Sequence, residues 1–206
     1  MFNKFFQNTR KPKGVLGKFM IASMNSGHAS LAKWGMEFIN PAAQAQSLDI
    51  GCGGGANIAT LLLKCPDGKV NGIDYSPVSV EAASKKNQAA IASGRCTITA
   101  GSVSELPFDE NTFDLVTAFE TVYFWPNLQN DFIQVFKVLK HGGCFTLCNE
   151  SDGTDAAGEK WESIIDGMKI YRADELTGFL KNAGFDNIDV HSNTQKHWLC
   201  ITALKK

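Results

Sequence analysis

The sequence predicts an α/β fold: a doubly wound, mostly parallel sheet of seven strands with a final antiparallel strand, plus an N-terminal helical cap. From about residue 45 onward, short apolar strand-like segments alternate with amphipathic helical segments, the pattern of a parallel sheet with right-handed crossovers. The length of 206 residues suits one such domain better than two. We therefore assign residues 1–44 to the cap, or lid, and residues 45–206 to the main domain.

Seven segments have the composition of strands. The first ends in a run of glycines, the second ends in Asp74, and the last two are predicted to form an antiparallel pair. The predicted strands are residues 47–50, 69–74, 96–100, 113–118, 145–149, 187–191 and 197–204.

The helices are predicted from the spacing of their apolar residues and from residues typical of helix ends. Ser76 and Pro77 form a typical start for one of them, and Gly94 follows its end. The predicted helices are a short one near residues 19–24 and longer ones over 29–39, 56–63, 76–93, about 132–139 and 174–183. The polar stretch of residues 151–158 is predicted to be a mobile insertion.

The overall composition argues against several classes of function. Lys and Arg number 20 and Asp and Glu 21, so no nucleic-acid-binding surface is indicated by the total charge. No apolar run approaches the ~20 residues of a membrane span, and the N-terminus lacks a secretory signal. The six cysteines form no paired CxxC clusters, so no zinc site or other metal site is predicted. Free thiols, including Cys144 and Cys148 in a predicted strand, fit a cytoplasmic protein.

The N-terminal region has a basic bias. No acidic residue precedes Glu37, whereas Lys and Arg recur throughout this stretch. A transit peptide, a lid over an anionic ligand and a solvated basic face all share this character, and the last is the simplest interpretation.

The end of the first strand carries the main functional signal, Gly51-Cys52-Gly53-Gly54-Gly55. Glycines allow a tight turn and a close approach of a ligand to the backbone. Ligands of parallel sheets bind at the carboxyl ends of the strands, beside the point where the strand order reverses. Asp74, at the end of the second strand, can accept hydrogen bonds from both hydroxyl groups of a ribose.

The glycine loop alone does not identify the ligand, because it also satisfies a dinucleotide-binding fingerprint or serves only as a structural turn. Asp49 lies two residues before Gly51. A carboxylate there would repel a pyrophosphate, but it is compatible with the cationic S-adenosylmethionine. The charge pattern therefore favours S-adenosylmethionine over NAD.

Several segments in the same order resemble class I (Rossmann-like) S-adenosylmethionine-dependent methyltransferases of the type 11/25-like group. Residues 48–55 resemble the first motif of the family and residues 72–76 the second. Residues 106–114, 138–143 and 171–185 resemble later segments, with His141 where the family's "hLKPGG" turn has proline. The resemblance covers about residues 45–206.

The resemblance implies roles for individual residues in binding the cofactor. Asp74 would bind the ribose and Tyr75 would stack near the adenine, with Ser76 beside them. Ser102 stands where the family often has aspartate, and a hydroxyl is a weaker acceptor for the adenine amino group. The remaining implied contacts, along the methionine portion and around the adenine, come from Asp49, Gly51, Cys52, Gly53, Gly101, Val103 and Phe119.

Two segments are the candidates for acceptor binding and catalysis. The aromatic-rich residues 119–127 fall where the family places its active-site mouth, and Glu120 and Tyr123 carry polar groups there. His28, in the cap, has a side chain suited to a general base. We predict Glu120, His28 and Tyr123 as catalytic and Asn25 and Trp125 as substrate-binding, although His28 could be structural and Trp125 part of the core.

The resulting hypothesis is transfer of a methyl group from S-adenosylmethionine to a small-molecule acceptor, leaving S-adenosylhomocysteine. A non-catalytic protein that binds these two compounds remains an alternative, as does an NAD-dependent oxidoreductase. The acceptor, the methylated atom and the oligomeric state do not follow from the sequence.

Overall fold

A computed structural model describes Arg10, residues 12–14, Gly17, residues 19–21 and residues 27–206. Seven strands are present: β1 Gln46–Ile50, β2 Lys69–Asp74, β3 Cys96–Ala100, β4 Phe113–Phe119, β5 Leu139–Asn149, β6 Asp186–Asn193 and β7 Trp198–Leu204. The helices of the described residues are α1 Ala29–Gly35, α2 Ala56–Lys64, α3 Pro77–Lys86, α4 Gln88–Ala92, α5 Leu128–Val138, α6 Ala156–Ile164 and α7 Ala173–Asn182. Short 3₁₀ turns follow α1 (Met36–Phe38) and β4 (Val122–Phe124).

The seven strands form one sheet in the order β3-β2-β1-β4-β5-β7-β6. β1 pairs in parallel with both β2 and β4, so the strand order reverses between β1 and β4. β7 runs antiparallel to β5 and β6, between which it lies. The predicted fold class, a mostly parallel sheet with a final antiparallel strand, is confirmed.

Buried apolar residues cover both faces of the sheet. One cluster joins Leu48 and Ile50 of β1 to Phe132 of α5 and Leu176 of α7. The other joins α1 and α2 to the opposite face through Leu31 and Ile58, among others. Because helices cover both faces, a ligand has access to the sheet mainly at the ends of its strands.

The structure corrects two predicted helices and one stretch that was predicted to be non-helical. The segment predicted as one helix over residues 76–93 is two, α3 and α4, separated at Asn87, whose side-chain amide donates to the carbonyls of Gly55 and Ala83. The predicted helix over residues 29–39 is α-helical only to Gly35 and continues as a 3₁₀ turn. Residues 151–158, predicted to be a mobile insertion, contain the start of α6, where the Asp155 carboxylate accepts from the Gly158 N–H as an N-cap.

The N-terminal region is described in part. The short helix predicted near residues 19–24 extends outside the described residues, and Asn25, predicted to bind the substrate, also lies outside them. Each helix within the described residues is too short or too polar to cross a membrane.

Candidate active site

The glycine loop turns sharply at the carboxyl end of β1. Gly51 has φ 70° and Gly53 φ 52°, values that favour glycine. The Gly51 and Cys52 N–H groups both donate to the Ile73 carbonyl, at 2.8 and 3.1 Å, which ties the loop to β2. A Cβ at Gly51 would lie 2.3 Å from Thr121 Cγ2, so the loop also needs glycine where it meets the segment after β4.

Asp74 links the glycine loop to the end of β2. Its Oδ2 accepts from the Gly53 N–H at 2.9 Å, and its Oδ1 accepts from the Ser76 N–H at 2.8 Å. Burial raises the pKa of Asp74, and the two backbone donors oppose that rise. The Ser79 side chain also donates to this carboxylate, and a carboxylate has about four acceptor positions, so Asp74 can still receive a ribose hydroxyl group.

A cavity of about 310 Å³ lies along the carboxyl ends of β1, β2 and β4. This first cavity has a size within the range of small-molecule sites. Its walls include the predicted cofactor residues Gly51, Gly53, Asp74, Tyr75, Gly101, Ser102 and Val103. The structure thus brings together, on one cavity, the three segments that the sequence predicted for the cofactor.

Part of the N-terminal region lies against the first cavity. The Tyr75 hydroxyl donates to the Arg10 carbonyl, and the Ser76 hydroxyl donates to the Pro12 carbonyl at 2.8 Å. Arg10 Nη1 in turn donates to the Asp166 carbonyl at 3.0 Å. Arg10, Pro12 and Ile21 all line the cavity. Burial raises the pKa of the Tyr75 phenol to about 12, so it is a neutral hydrogen-bond donor at physiological pH.

A second cavity of about 470 Å³ adjoins the first. Its walls come from α1, the start of α2 and the end of β4, and they include the predicted residues His28, Cys52 and Phe119. Four residues line both cavities: Gly51, Gly53, Glu120 and Thr121. The two cavities therefore meet beside the glycine loop and the segment after β4.

Glu120 occupies the junction of the two cavities in a strained backbone conformation. Its φ is 60°, uncommon for a residue with a side chain, and its N–H donates to the Cys148 carbonyl at 2.9 Å. Strained residues of this kind concentrate at functional sites. The Oε1 atom accepts from the Glu150 N–H at 2.5 Å and from the Tyr123 hydroxyl at 3.2 Å.

Three more side chains surround Glu120 and complete what we call the acid cluster: His28, Glu120, Tyr123 and Glu150. His28 Nε2 lies 3.9 Å from Glu120 Oε2 and 3.6 Å from Glu150 Oε2. Burial, and then the negative charge of Glu150, raise the pKa of Glu120 well above its ordinary value. The three predicted catalytic residues thus lie together, although His28 comes from a different segment of the chain from Glu120 and Tyr123.

Some predicted site residues lie behind the cavity walls, and Asn25 falls outside the described residues. Asp49 lines neither of the two cavities, and its carboxylate accepts from the Thr117 hydroxyl of β4 at 2.7 Å. Ser76 and Tyr123 also lie behind the walls. The Ser76 hydroxyl donates to the Pro12 carbonyl, and the Tyr123 hydroxyl donates to Glu120 Oε1. Trp125 lines the first cavity and also packs edge-to-face on Phe132 at 5.6 Å, so it is both core and cavity wall.

Sequence reasoning did not predict Thr121 or Glu150. The Thr121 side chain packs directly against Gly51 of the glycine loop. This contact is not visible in the sequence, because the two residues are distant along the chain. Glu150 follows β5 as Glu120 follows β4, and these strands are parallel neighbours. Two acids directly after neighbouring strands are a signal that the sequence did contain.

The comparisons with known proteins agree with this geometry. Residues 48–147 match a family model described as "Methyltransferase domain". The chain is 30% identical over 135 residues to the 24-methylenesterol C-methyltransferase 3 of Arabidopsis thaliana, which covers 64% of this chain and 36% of the relative. It is 27% identical over 196 residues to the erythromycin 3''-O-methyltransferase of Saccharopolyspora erythraea, which covers 84% of this chain and 64% of the relative. The chain thus spans less than two thirds of the length of both curated relatives.

Among solved structures, the fold is similar to that of a Haemonchus contortus phosphoethanolamine N-methyltransferase 2 in complex with S-adenosylmethionine. The TM-score is 0.79 at 15% identity, over 100% of this chain and 60% of that chain. The motif-bearing loop, the Asp74 position and these matches lead to one assignment. Residues 48–147 belong to the methyltransferase-domain family of class I, S-adenosylmethionine-dependent enzymes, and S-adenosylmethionine is the cofactor of that family.

Proposed function

We propose that this protein transfers the methyl group of S-adenosylmethionine to a small-molecule acceptor. The observation that carries the proposal is the junction of two adjoining cavities at Gly51, Gly53, Glu120 and Thr121. In this proposal the first cavity binds the cofactor and the second binds the acceptor. A methyl group held at the junction would then be accessible from both.

The residues of the first cavity fit an adenosine-containing cation. Asp74 offers a remaining acceptor direction to a ribose hydroxyl, and Ile73 and Val103 offer apolar walls to a flat base. Ser102 lines the same part, and its Oγ accepts from the Ser104 N–H at 3.3 Å. Tyr75 and the Arg10 and Pro12 backbone would cover the adenosine end.

At the other end, Glu120 would face the positive charge of the sulfonium group. Once bound, the cofactor supplies an activated methyl group, and the protein orients the acceptor and excludes water. Glu120 and His28 line the second cavity, so either can take a proton from the acceptor. Tyr123 is buried behind Glu120, so we assign it a positioning role through its hydrogen bond to Oε1.

The acceptor class is inferred from the comparisons and from the cavity. The relatives named above are methyltransferases of a sterol and of a macrolide, and both names denote small molecules. The second cavity is of small-molecule size, with apolar walls from Leu31, Ala32 and Met36.

The test is transfer of labelled methyl from S-adenosylmethionine to a small-molecule extract of cells that produce the protein. Labelled product from the wild type, and none from Asp74→Ala, is the expected result. If the cofactor binds but no fraction of the extract gains label, the protein is a non-catalytic binder. Displacement of S-adenosylhomocysteine by NADH at similar concentration would instead favour the oxidoreductase.

A further inference from the structure

The acid cluster has an unused acceptor directed into the site. The side chain of Glu120 is only 9% exposed. Its Oε1 has two donors, whereas Oε2 has no hydrogen-bond donor among the described residues and lies 3.9 Å from His28 Nε2. Because Glu120 lines both cavities, this oxygen can accept a hydrogen bond from a ligand.

Glu150 brings a second negative charge next to the Glu120 carboxylate. The backbone N–H of Glu150 binds Glu120 Oε1, which brings a second carboxylate to the same place. The side chain of Glu150 is 47% exposed and lines neither cavity, but both carboxylates lie close to His28, which lines the second cavity. Two carboxylates side by side repel each other, and a positively charged group between them relieves the repulsion. The cluster is therefore suited to a cation that donates hydrogen bonds.

The cavity walls distinguish between an organic cation and a metal ion. Beside Glu120, the second cavity is lined by apolar side chains of α1 and by Phe119, which suit a carbon skeleton. A divalent cation with bonds of about 2.1 Å would bring its ligand atoms to about 3.0–3.4 Å from one another. The distances of 3.6 and 3.9 Å from His28 Nε2 to the two carboxylates exceed that spacing but would suit a larger ion such as calcium, so the apolar walls, and not the spacing, favour an organic cation.

We propose that the methyl acceptor is a primary or secondary amine whose nitrogen is bound by Glu120 and Glu150, with its apolar part in the second cavity. This inference rests on the proposed function, since it names the substrate class of the same site. The amine would enter as an ammonium ion, paired with the two carboxylates. Its nitrogen would lie at the junction of the cavities, where the methyl group of the cofactor is expected.

Methyl transfer to the amine is coupled to loss of one proton. An N–H bond of the ammonium breaks, and its proton moves to Glu120 Oε2, which leaves a lone pair on nitrogen. That pair forms the new N–CH₃ bond while the S–CH₃ bond breaks and its electrons return to sulfur. The products are a methylammonium ion and S-adenosylhomocysteine. Because burial raises the pKa of Glu120, its carboxylate is a more effective proton acceptor than an ordinary one.

The test first asks which compounds gain label in the extract assay described above. We expect labelled products that are retained on a cation exchanger at pH 7. We also expect their loss when the extract is first treated with an amine-selective N-hydroxysuccinimide ester. Label that persists after this treatment, in neutral or acidic compounds, would overturn the amine proposal and leave the methyltransferase proposal intact. No label in any compound would remove both.

Variants of the cluster then test the binding role. Glu150→Gln should raise the KM for the labelled amine fraction about tenfold and change kcat little. Glu120→Gln should lower kcat/KM roughly a hundredfold or more while S-adenosylhomocysteine still binds, which shows that the variant is folded. Glu110→Gln removes the same charge from an exposed residue outside both cavities and is the matched control.

A metal-ion arm completes the test. EDTA should leave transfer unchanged. If EDTA abolishes transfer and Mn²⁺ restores it in the wild type but not in Glu150→Gln, the cluster binds a divalent cation and the amine proposal is wrong. Equal KM values for Glu150→Gln and the wild type would also overturn it.

Discussion

At the scale of single residues, Asp74 has the most connected position in the site. It joins the glycine loop to the end of β2 through two backbone N–H groups and still faces the first cavity. We expect Asp74→Ala to weaken S-adenosylhomocysteine binding roughly a hundredfold or more, because hydrogen bonds to a charged group contribute about 1.5–3 kcal/mol each. Isothermal titration calorimetry measures this directly. Asp109→Ala, an exposed residue outside the cavities, should bind like the wild type, and near-wild-type affinity for Asp74→Ala would contradict the assignment.

Asp49 gives a prediction for the pH dependence of stability. Burial raises its pKa from 3.8 to about 7 in the folded protein. The folded state therefore retains the proton at pH values where the unfolded chain has lost it. The free energy of unfolding should fall by up to about 1.4 kcal/mol per pH unit between about pH 4 and 7. Above pH 7 the full destabilisation from ionising the buried Asp49 carboxyl is present.

The variant Asp49→Asn cannot ionise at this position, and it keeps an acceptor for the Thr117 hydroxyl. It should flatten this dependence and be more stable than the wild type at pH 8. Urea unfolding at several pH values is the measurement. Asp67→Asn changes an exposed carboxylate, so it should follow the wild type; a parallel slope for Asp49→Asn would show that Asp49 does not carry the penalty.

The sequence predicted about half of the residues that line the first cavity, namely those that follow strand ends, because the strand ends share one edge of the sheet. Side chains behind the walls were harder to place. Asp49 and Thr117 are opposite one another only through the register of β1 and β4, which is not visible along the chain. The hydrogen bond from the Glu150 N–H to Glu120 likewise depends on the position of the segment after β5 in three dimensions.

At the scale of elements, α6 shows the effect of one capping residue. Its N-cap, Asp155, accepts from the Gly158 N–H at 2.6 Å and from the Ser151 hydroxyl at 2.6 Å. Asp155→Ala should therefore lower the unfolding free energy by about 1 kcal/mol, the usual cost of losing an N-cap. Chemical denaturation checks the size. Asp155→Asn retains an acceptor and should be nearly neutral, so equal losses in both variants would show that the cap is not the cause.

The strands were predicted more accurately than the helices, for a physical reason. Most strands of the sheet are apolar enough to stand out from their flanks, although β6 is largely polar and β5 begins six residues before the predicted segment. In contrast, α6 follows a polar, glycine-containing stretch that is typical of a loop, and its helix begins only where Asp155 supplies the cap. The break at Asn87 comes from hydrogen bonds to Gly55, which is distant in sequence.

At the scale of the whole molecule, ligand binding should stabilise the fold. A ligand that binds only the folded state adds about 2.7 kcal/mol at a hundred times its Kd. For a domain of 206 residues, S-adenosylhomocysteine should therefore raise Tm by roughly 5–10 °C. Differential scanning fluorimetry measures the shift, which should vanish in Asp74→Ala. A similar shift with NADH would argue against the cofactor assignment.

The position of β7 between β5 and β6 affects how the sheet can form while the chain is being synthesised. β6 leaves the ribosome before β7, yet within the described sheet β7 is its strand partner. Until residues 198–204 emerge, β6 cannot join the sheet and the apolar edge of β5 stays unpaired. A nascent chain stalled in this interval would expose that edge to other chains, as incomplete sheets do. A chain that lacks residues 198–204 should therefore be less soluble than one that contains them.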